Sequence, residues 1–256
     1  MISEYHRPET ISEALALLAR PGMPTVPMGG GTGLDRSSTT PVAVVDLQAL
    51  SLYFLNARGN KMELGATVSL QTLLEDERLP SALQAAIRHE AAYHIRQVAT
   101  LAGSLVSADG RSPFSTVMLA MDAELIYQPG EDGEEGRLSL GDLFSLRGES
   151  LRGRLITQAT IPLNARQAYT YVARTPADLP IVCAAVARWP SGRTRVCLGG
   201  YGSAPRLVMD GEDSSGAELA ACNAYSQAED EWASAEYRQE VAGILVRRCV
   251  EAIMEK

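Results

Sequence analysis

The sequence predicts an α+β protein in two parts, and three observations predict it. Amphipathic helical stretches and short apolar runs alternate through the first two thirds of the chain. After Pro162 the pattern changes to alternating "YTYVAR", then "IVCAAVARW", the turn "PSGR" and "TRVCLGGYG", which suit a small antiparallel sheet. The chain then closes on a long amphipathic stretch, "SAEYRQEVAGILVRRCVEAIMEK". At 256 residues and 46% hydrophobic content it can bury a core in each part. Pro162 to Arg166 is the natural boundary, giving domains at 1–163 and 164–256.

Each element follows from local chemistry. Thr10 stands as an N-cap with Glu13 three residues on, a capping-box spacing, before Leu15, Leu17 and Leu18. Pro21-Gly22 stops that helix. "TVPM" at 25–28 reads as a strand and "VAVVDL" at 42–47 as a strand covered on both faces. "KMELGATVSL" is a further strand running into a turn, Ser69 caps the helix "LQTLLEDERL", and Ser81 caps "ALQAAIRHEAAYHI". Ser112-Pro113 makes an N-cap and first-turn pair for "FSTVMLAM". "AELIYQP" is a strand turned by "GEDGEEG", a solvated acidic hairpin tip, and "RGRLITQATIP" closes the first part. Ser234 caps the last helix, whose apolar face is Tyr237, Val241, Ile244, Leu245, Val246, Cys249, Ile253 and Met254.

Composition excludes several function classes. A net charge of −8, with no basic run longer than Arg247-Arg248, leaves no positive field for nucleic acid. The longest apolar run, Ile181 to Ala187, is far short of a membrane span, and the polar start "MISEYHRPET" lacks a signal-peptide core, so a cytoplasmic location is expected. Cys183, Cys197, Cys222 and Cys249 have no ligand spacing, and His6, His89 and His94 match no zinc motif. No metal site and no catalytic side chain are expected. There is no G-x-S-x-G, and three scattered histidines single out no base.

The unusual stretch is "VPMGGGTGLDR", residues 26–36, with four glycines in five positions. It fails the dinucleotide fingerprint, because the sixth position from Gly29 is Leu34 and from Gly31 is Arg36. It fails the phosphate loop of nucleotide hydrolases for want of Gly-Lys-Ser/Thr. A second stretch rich in small residues, Thr100 to Ser104, reads as a loop about seventy residues on. Two such loops face to face would form an anion site, backbone N–H groups and the Thr32 and Thr100 hydroxyls donating to phosphate oxygens. A pyrophosphate fits that arrangement.

Several runs in order, "EYHRPETISEALALLAR", "GGGTGL", "IRQVATLAGSLVSADGRSPFSTVMLAMDAEL", "YVARTPADLPIVCAAVA" and "SAEYRQEVAGILVRRCV", resemble the FAD-binding medium subunit of molybdenum hydroxylases. Xanthine dehydrogenase and aerobic carbon monoxide dehydrogenase belong to that group. The resemblance implies a two-lobed FAD-binding domain of the vanillyl-alcohol-oxidase (PCMH) type, followed by a C-terminal domain with a small sheet and helices. It implies non-covalent FAD contacts from Met28, Gly29, Gly30, Gly31, Thr32, Gly33 and Leu34, from Ile95 leading into the second loop, and from Thr100, Ala102, Gly103 and Ser104. Asp178, four residues after Arg174, falls where relatives approach the flavin ring. The residue-level reading of Asp178 is a turn or cap before the strand at Ile181.

The resemblance also implies partners. A large subunit would hold a molybdopterin cofactor and a small one two [2Fe–2S] clusters, with this chain passing electrons on to NAD or another acceptor. Relatives usually write Gly-Gly-Thr-Asp and Thr-Ile-Gly-Gly-Asn in the two loops and an acidic residue at 113. Gly33, Leu101, Ala102, Ser104 and Pro113 depart from that pattern. A structural or assembly subunit that has lost tight FAD binding is the alternative.

Overall fold

A computed structural model describes residues 1–34, 40–129, 133–146, 151 and 153–255. These form two compact units, and the chain passes between them repeatedly. Met1–Leu73, Tyr93–Ser107 and Glu124–Thr160 make the first unit; Leu74–Ala92, Ala108–Ala123 and Ile161–Lys256 make the second. Residues 74–92 and 108–123, which the linear reading assigns to an N-terminal domain, therefore pack within the second unit.

The first unit contains a three-stranded parallel sheet. β1 (Ile2–His6) and β2 (Thr25–Met28) flank the central β3 (Val42–Asp46). Ala43, Val44 and Val45 are fully buried, as the continuous apolar run predicts for a strand covered on both faces. β2 is an edge strand, so Pro27 costs no ladder bond on its outer side. Between β1 and β2 runs α1 (Ile11–Ala19), where Glu13 N–H donates to Thr10 Oγ1 at 3.2 Å, the expected cap. β1 is missing from the sequence reading because "ISEYH" carries polar and charged residues on a half-exposed strand.

A five-stranded sheet completes this unit, in the order β4 (Leu55–Arg58), β5 (Lys61–Gly65), β8 (Leu155–Pro162), β6 (Glu124–Gln128) and β7 (Gly136–Ser139). The expected β6–β7 hairpin is present, although 130–132 of its acidic tip lie outside the described residues, as do Asp35 and Arg36. α2 (Leu70–Glu75) starts where expected, with Ser69 Oγ accepting from Thr72 N–H.

In the second unit, four antiparallel strands run in the order β12 (Arg206–Gly211), β11 (Thr194–Gly199), β10 (Val182–Arg188) and β9 (Arg166–Val172). β10 is buried along nearly its whole length because helices cover both faces. On one side Cys183 meets Thr116 of α6 (Pro113–Ala120); on the other, Cys249 Sγ donates to the Ala184 carbonyl. α3 (Ser81–Glu90) packs on α6 and β9. Ser81 is the first residue of α3 rather than its cap, a correction: Pro80 holds the cap position and makes no side-chain capping bond. α3 also ends at Glu90, and Tyr93–Arg96 form a separate single turn, α4.

Ser112 caps α6 as expected, accepting from Ser115 N–H. The remaining helices are α5 (Leu101–Ser107), α7 (Leu140–Ser145), α8 (Ala217–Ala224) and α9 (Ala235–Met254). Leu245, Val246, Cys249 and Ile253 of α9 enter the core, each large aliphatic burial stabilising by roughly 1.5–3 kcal/mol. Tyr237 and Met254, expected on that face, are exposed at its two ends.

Candidate functional site

The glycine stretch leaves the C-terminal end of β2, the end at which parallel strands present loops to ligands. Leu47 N–H donates to Met28 O at 2.9 Å and fixes the exit. The four glycines then serve different ends. A Cβ on Gly30 would lie 1.5 Å from Val98 O, and one on Gly29 would lie 2.4 Å from Thr100 Oγ1. Both positions are therefore bare because the 98–100 segment crosses against them. Gly31 has φ of +75°, the left-handed region, and Leu34 N–H donates to Gly31 O at 3.0 Å to close the turn. A Cβ on Gly33 would meet nothing within 4 Å, so neither packing nor φ requires glycine there. Thr32 and Gly33 are exposed.

The structure thus brings Gly29 and Gly30 against Val98, Ala99 and Thr100, of which Thr100 alone belongs to the Thr100–Ser104 stretch that the sequence reading pairs with the glycines. It corrects the nature of the second segment. Thr100–Ser104 is the start of a helix, α5, because Leu101 and Leu105 fall four residues apart and are both fully buried. Its N–H groups are already committed: Leu101 to Val68 O, Ala102 to Ala66 O, Gly103 to Thr100 Oγ1 and Ser104 to Thr100 O. They are not the open phosphate donors the sequence reading made them.

In the glycine turn the opposite holds. Among the described residues, no backbone N–H from Gly29 to Gly33 donates to a protein acceptor. The donor row of this unit therefore comes from the first segment alone, with the second packed beneath it. Val98, whose carbonyl meets Gly30, is 47% exposed, and Ile95 of the same segment is 36% exposed. Val98 and Ala99 N–H both donate to Ile95 O, so this apolar surface is part of the segment that abuts the glycines. Arg96 turns away from it to donate through Nε to Gln71 Oε1 at 3.1 Å.

Asp46, at the C-terminal end of the central strand, is 2% exposed. Its carboxylate accepts from the Tyr5 hydroxyl and from Gln48 N–H at 3.0 Å, with Arg7 Nε at 3.8 Å. Such pairing is what makes a buried carboxylate tolerable. The bond to Asp46 in turn raises the Tyr5 phenol above its ordinary range. Nothing local marks Asp46 as a polar anchor, since "VAVVDL" reads only as an apolar strand.

Asp178 lies in the second unit, in a turn where its N–H donates to Thr175 O at 3.2 Å. Its carbonyl accepts from His89 Nε2–H at 2.7 Å, and His89 Nδ1 accepts from the Tyr169 hydroxyl at 3.1 Å. That pattern is one neutral tautomer, and burial holds His89 below the usual imidazole range. Glu90, next in sequence, accepts from Ser112 Oγ at 3.0 and 2.9 Å and from Phe114 N–H at 2.9 Å, at the start of α6. Burial pushes its carboxyl up to about 7. His89 and Glu90 are absent from the sequence-based candidates; spacing alone carries no sign of contacts made eighty-nine and twenty-four residues away.

Residues 1–164 match the family model for the FAD binding domain in molybdopterin dehydrogenase. Over 253 residues the chain is 29% identical to the uncharacterized protein YgfM of Escherichia coli (strain K12), covering 96% of this chain and 94% of that one. It is 26% identical over 279 residues to the carbon monoxide dehydrogenase medium chain of Afipia carboxidovorans, covering 97% and 95%. The fold superposes on a chain of reconstituted CO dehydrogenase from Oligotropha carboxidovorans with a TM-score of 0.81 and 25% identity, over 98% and 97% of the two chains.

Proposed function

Since this chain belongs to the family of FAD-binding domains of molybdopterin dehydrogenases, we propose that it is the flavin-carrying medium subunit of a molybdenum hydroxylase complex. The observation that carries the reading is the turn Gly29–Gly33: a row of N–H groups with no acceptor among the described residues, at the C-terminal end of a parallel strand, where Gly29 and Gly30 have no room for a side chain. These residues fit a pyrophosphate, which needs close backbone approach and several donors. Met28 to Leu34 would hold it, with the Thr32 hydroxyl adding a donor. Ile95, Thr100, Ala102, Gly103 and Ser104 would supply the supporting wall, and Val98 extends the apolar surface beside it.

Bound FAD supplies a centre that accepts electrons singly from iron–sulfur clusters and releases them in pairs. The chain's own work in this proposal is to bind and orient. The acceptor would be NAD or another oxidant. The carbon monoxide dehydrogenase relative is a medium chain, which supports small and large subunits as partners. No helix among the described residues is long and apolar enough to cross a membrane, in keeping with a proposed cytoplasmic complex.

One observation favours the second reading, an assembly subunit without tight FAD binding. The N–H groups of Leu101, Ala102, Gly103 and Ser104 all donate within the protein, so the donor row is shorter than two open loops would give. The visible spectrum of the complex purified with its neighbouring subunits decides between them. One acid-releasable flavin per chain supports the leading reading; its absence from an assembled complex rejects it. Gly31→Val, which loads a side chain at φ of +75°, should lose the flavin while the circular dichroism of the chain is kept.

A further inference from the structure

The carboxylate of Asp46 stands where an anion site has least use for a negative charge. β1, β2 and β3 are parallel, so their C-terminal ends lie together, and Asp46 ends the central strand there. In register it is paired with Met28, the residue that precedes the glycine turn. A carboxylate repels phosphate oxygens, and one this deeply buried has little water to screen it. Its presence calls for another use, and its contacts supply one.

Each oxygen of Asp46 holds a different piece of chain. Oδ1 accepts from Gln48 N–H at 3.0 Å, which closes a turn over 46–48. Inside that turn Leu47 N–H donates to Met28 O at 2.9 Å, and Leu50 N–H donates to Leu47 O at 3.1 Å. Oδ2 accepts from the Tyr5 hydroxyl and has Arg7 Nε at 3.8 Å, so β1 is tied to the same carboxylate. The donor that fixes the entry to Gly29 is thus set by the Asp46 side chain. Packing fixes the next two residues, since Gly29 and Gly30 abut Thr100 and Val98.

We propose that Asp46 is the positioning residue of the glycine turn: through Leu47 it sets the entry to Gly29–Gly33, so that their N–H groups meet a pyrophosphate in one arrangement. The proposal rests on the flavin-subunit reading above and involves residues of the first unit alone. Asp46 itself does not touch the ligand. Donors already ordered bind more tightly than donors that must be ordered on binding. The role needs an acceptor for Gln48 N–H and a partner for Tyr5, and it does not need the charge.

Three substitutions in the full chain test it. Asp46→Ala loses both contacts. Asp46→Asn keeps an oxygen for Gln48 N–H, and its amide donates to the Tyr5 hydroxyl instead of accepting from it. Tyr5→Phe, at an exposed position, removes one bond and leaves the 46–48 turn. Amide exchange at Leu47, followed by NMR on flavin-free chain labelled with 15N-leucine, reads how often the entry opens. Titration of FAD into the deflavinated complex reads the site.

Asp46→Ala should exchange Leu47 about tenfold or more faster and bind FAD about tenfold or more weakly, the worth of a hydrogen bond to a charged group. Tyr5→Phe should move both in the same direction by about two- to tenfold, and Asp46→Asn should stay near wild type in both. Unchanged exchange in Asp46→Ala overturns the link to Leu47. Faster exchange with unchanged FAD affinity overturns the positioning role and leaves a structural brace, and so does an Asp46→Asn variant no better than Asp46→Ala. Should Asp46→Ala fail to fold, Tyr5→Phe carries the same comparison, and no change in either measurement overturns the proposal. A wild-type complex that binds no FAD defeats the reading on which the proposal rests, and the positioning role with it, while exchange at Leu47 still decides whether Asp46 holds the entry to the turn.

Discussion

Glu90→Gln should stabilise the second unit at pH 8 and leave it unchanged at pH 4.5. The wild-type carboxyl moves from the ordinary 4.5 of a glutamate to about 7, with burial as the main cause, opposed by the Phe114 N–H and Ser112 hydroxyl and assisted by Asp109. A raised acid pKa means that the folded state holds its proton longer than the unfolded chain does. The stability this contributes is complete below 4.5 and is lost as pH rises through about 7. The full shift corresponds to roughly 3 kcal/mol. Glu90 keeps part of its surface in water, so about 1–3 kcal/mol is the expected range.

Glutamine retains an acceptor for Phe114 N–H and cannot ionise. The variant should therefore gain about that amount over wild type on going from pH 4.5 to pH 8. His89, whose depressed pKa acts in the opposite direction, is present in both proteins and cancels. Both tryptophans, Trp189 and Trp232, belong to the second unit, so their fluorescence during urea unfolding reads that unit selectively. A Glu90→Gln stability difference that is the same at pH 4.5 and pH 8 would refute the reasoning.

Further outcomes follow from contacts already described or adjoining them. Gly30→Ala drives a methyl into Val98 O and should cost about 3 kcal/mol or more, read as a fall in the first unit's resistance to urea by far-ultraviolet circular dichroism; Gly33→Ala, with open space, should change it by less than about 0.5 kcal/mol. Arg238 is fully buried, binds both oxygens of Asp230 and donates to the carbonyls of Ile181, Ala228 and Ala233. Arg238→Met should therefore lower urea stability by about 3–5 kcal/mol, because several buried polar groups lose their partner at once. Burial pushes the Cys183 and Cys249 thiols up to about 12 and that of Cys197 also upward, so a thiol reagent at pH 8 should label Cys222 alone in the native chain and all four cysteines after unfolding.

Much of the fold could be read from local signals, and the failures share a cause. Thr10, Ser69, Ser112 and Ser234 cap helices as expected, because a cap depends only on residues two or three positions on. "IVCAAVA" is a buried strand, as its apolar run demands. By contrast, "TLAGS" reads as a loop by composition and folds as a helix, since Leu101 and Leu105 are buried by tertiary packing that outweighs the small residues between them. The glycine turn drew notice as a donor-rich loop. That two of its glycines answer to Val98 and Thr100 could not be seen locally, because the crossing segment lies about seventy residues away. The turn around Asp178 is legible as a turn, while the bond to it from His89 of α3 joins residues that no window contains.

The interleaving of the two units bears on how the chain is made. α3 and α6 leave the ribosome well before β9, β10 and β11, the strands on which they pack. Until about residue 199 has emerged, α3 and α6 lack that sheet as a cover. The second unit can close only late in synthesis, and the nascent chain carries an apolar surface throughout that interval. A slow stretch of translation between α6 and β9 would prolong that exposure, and a chain released at residue 163 would keep it for good.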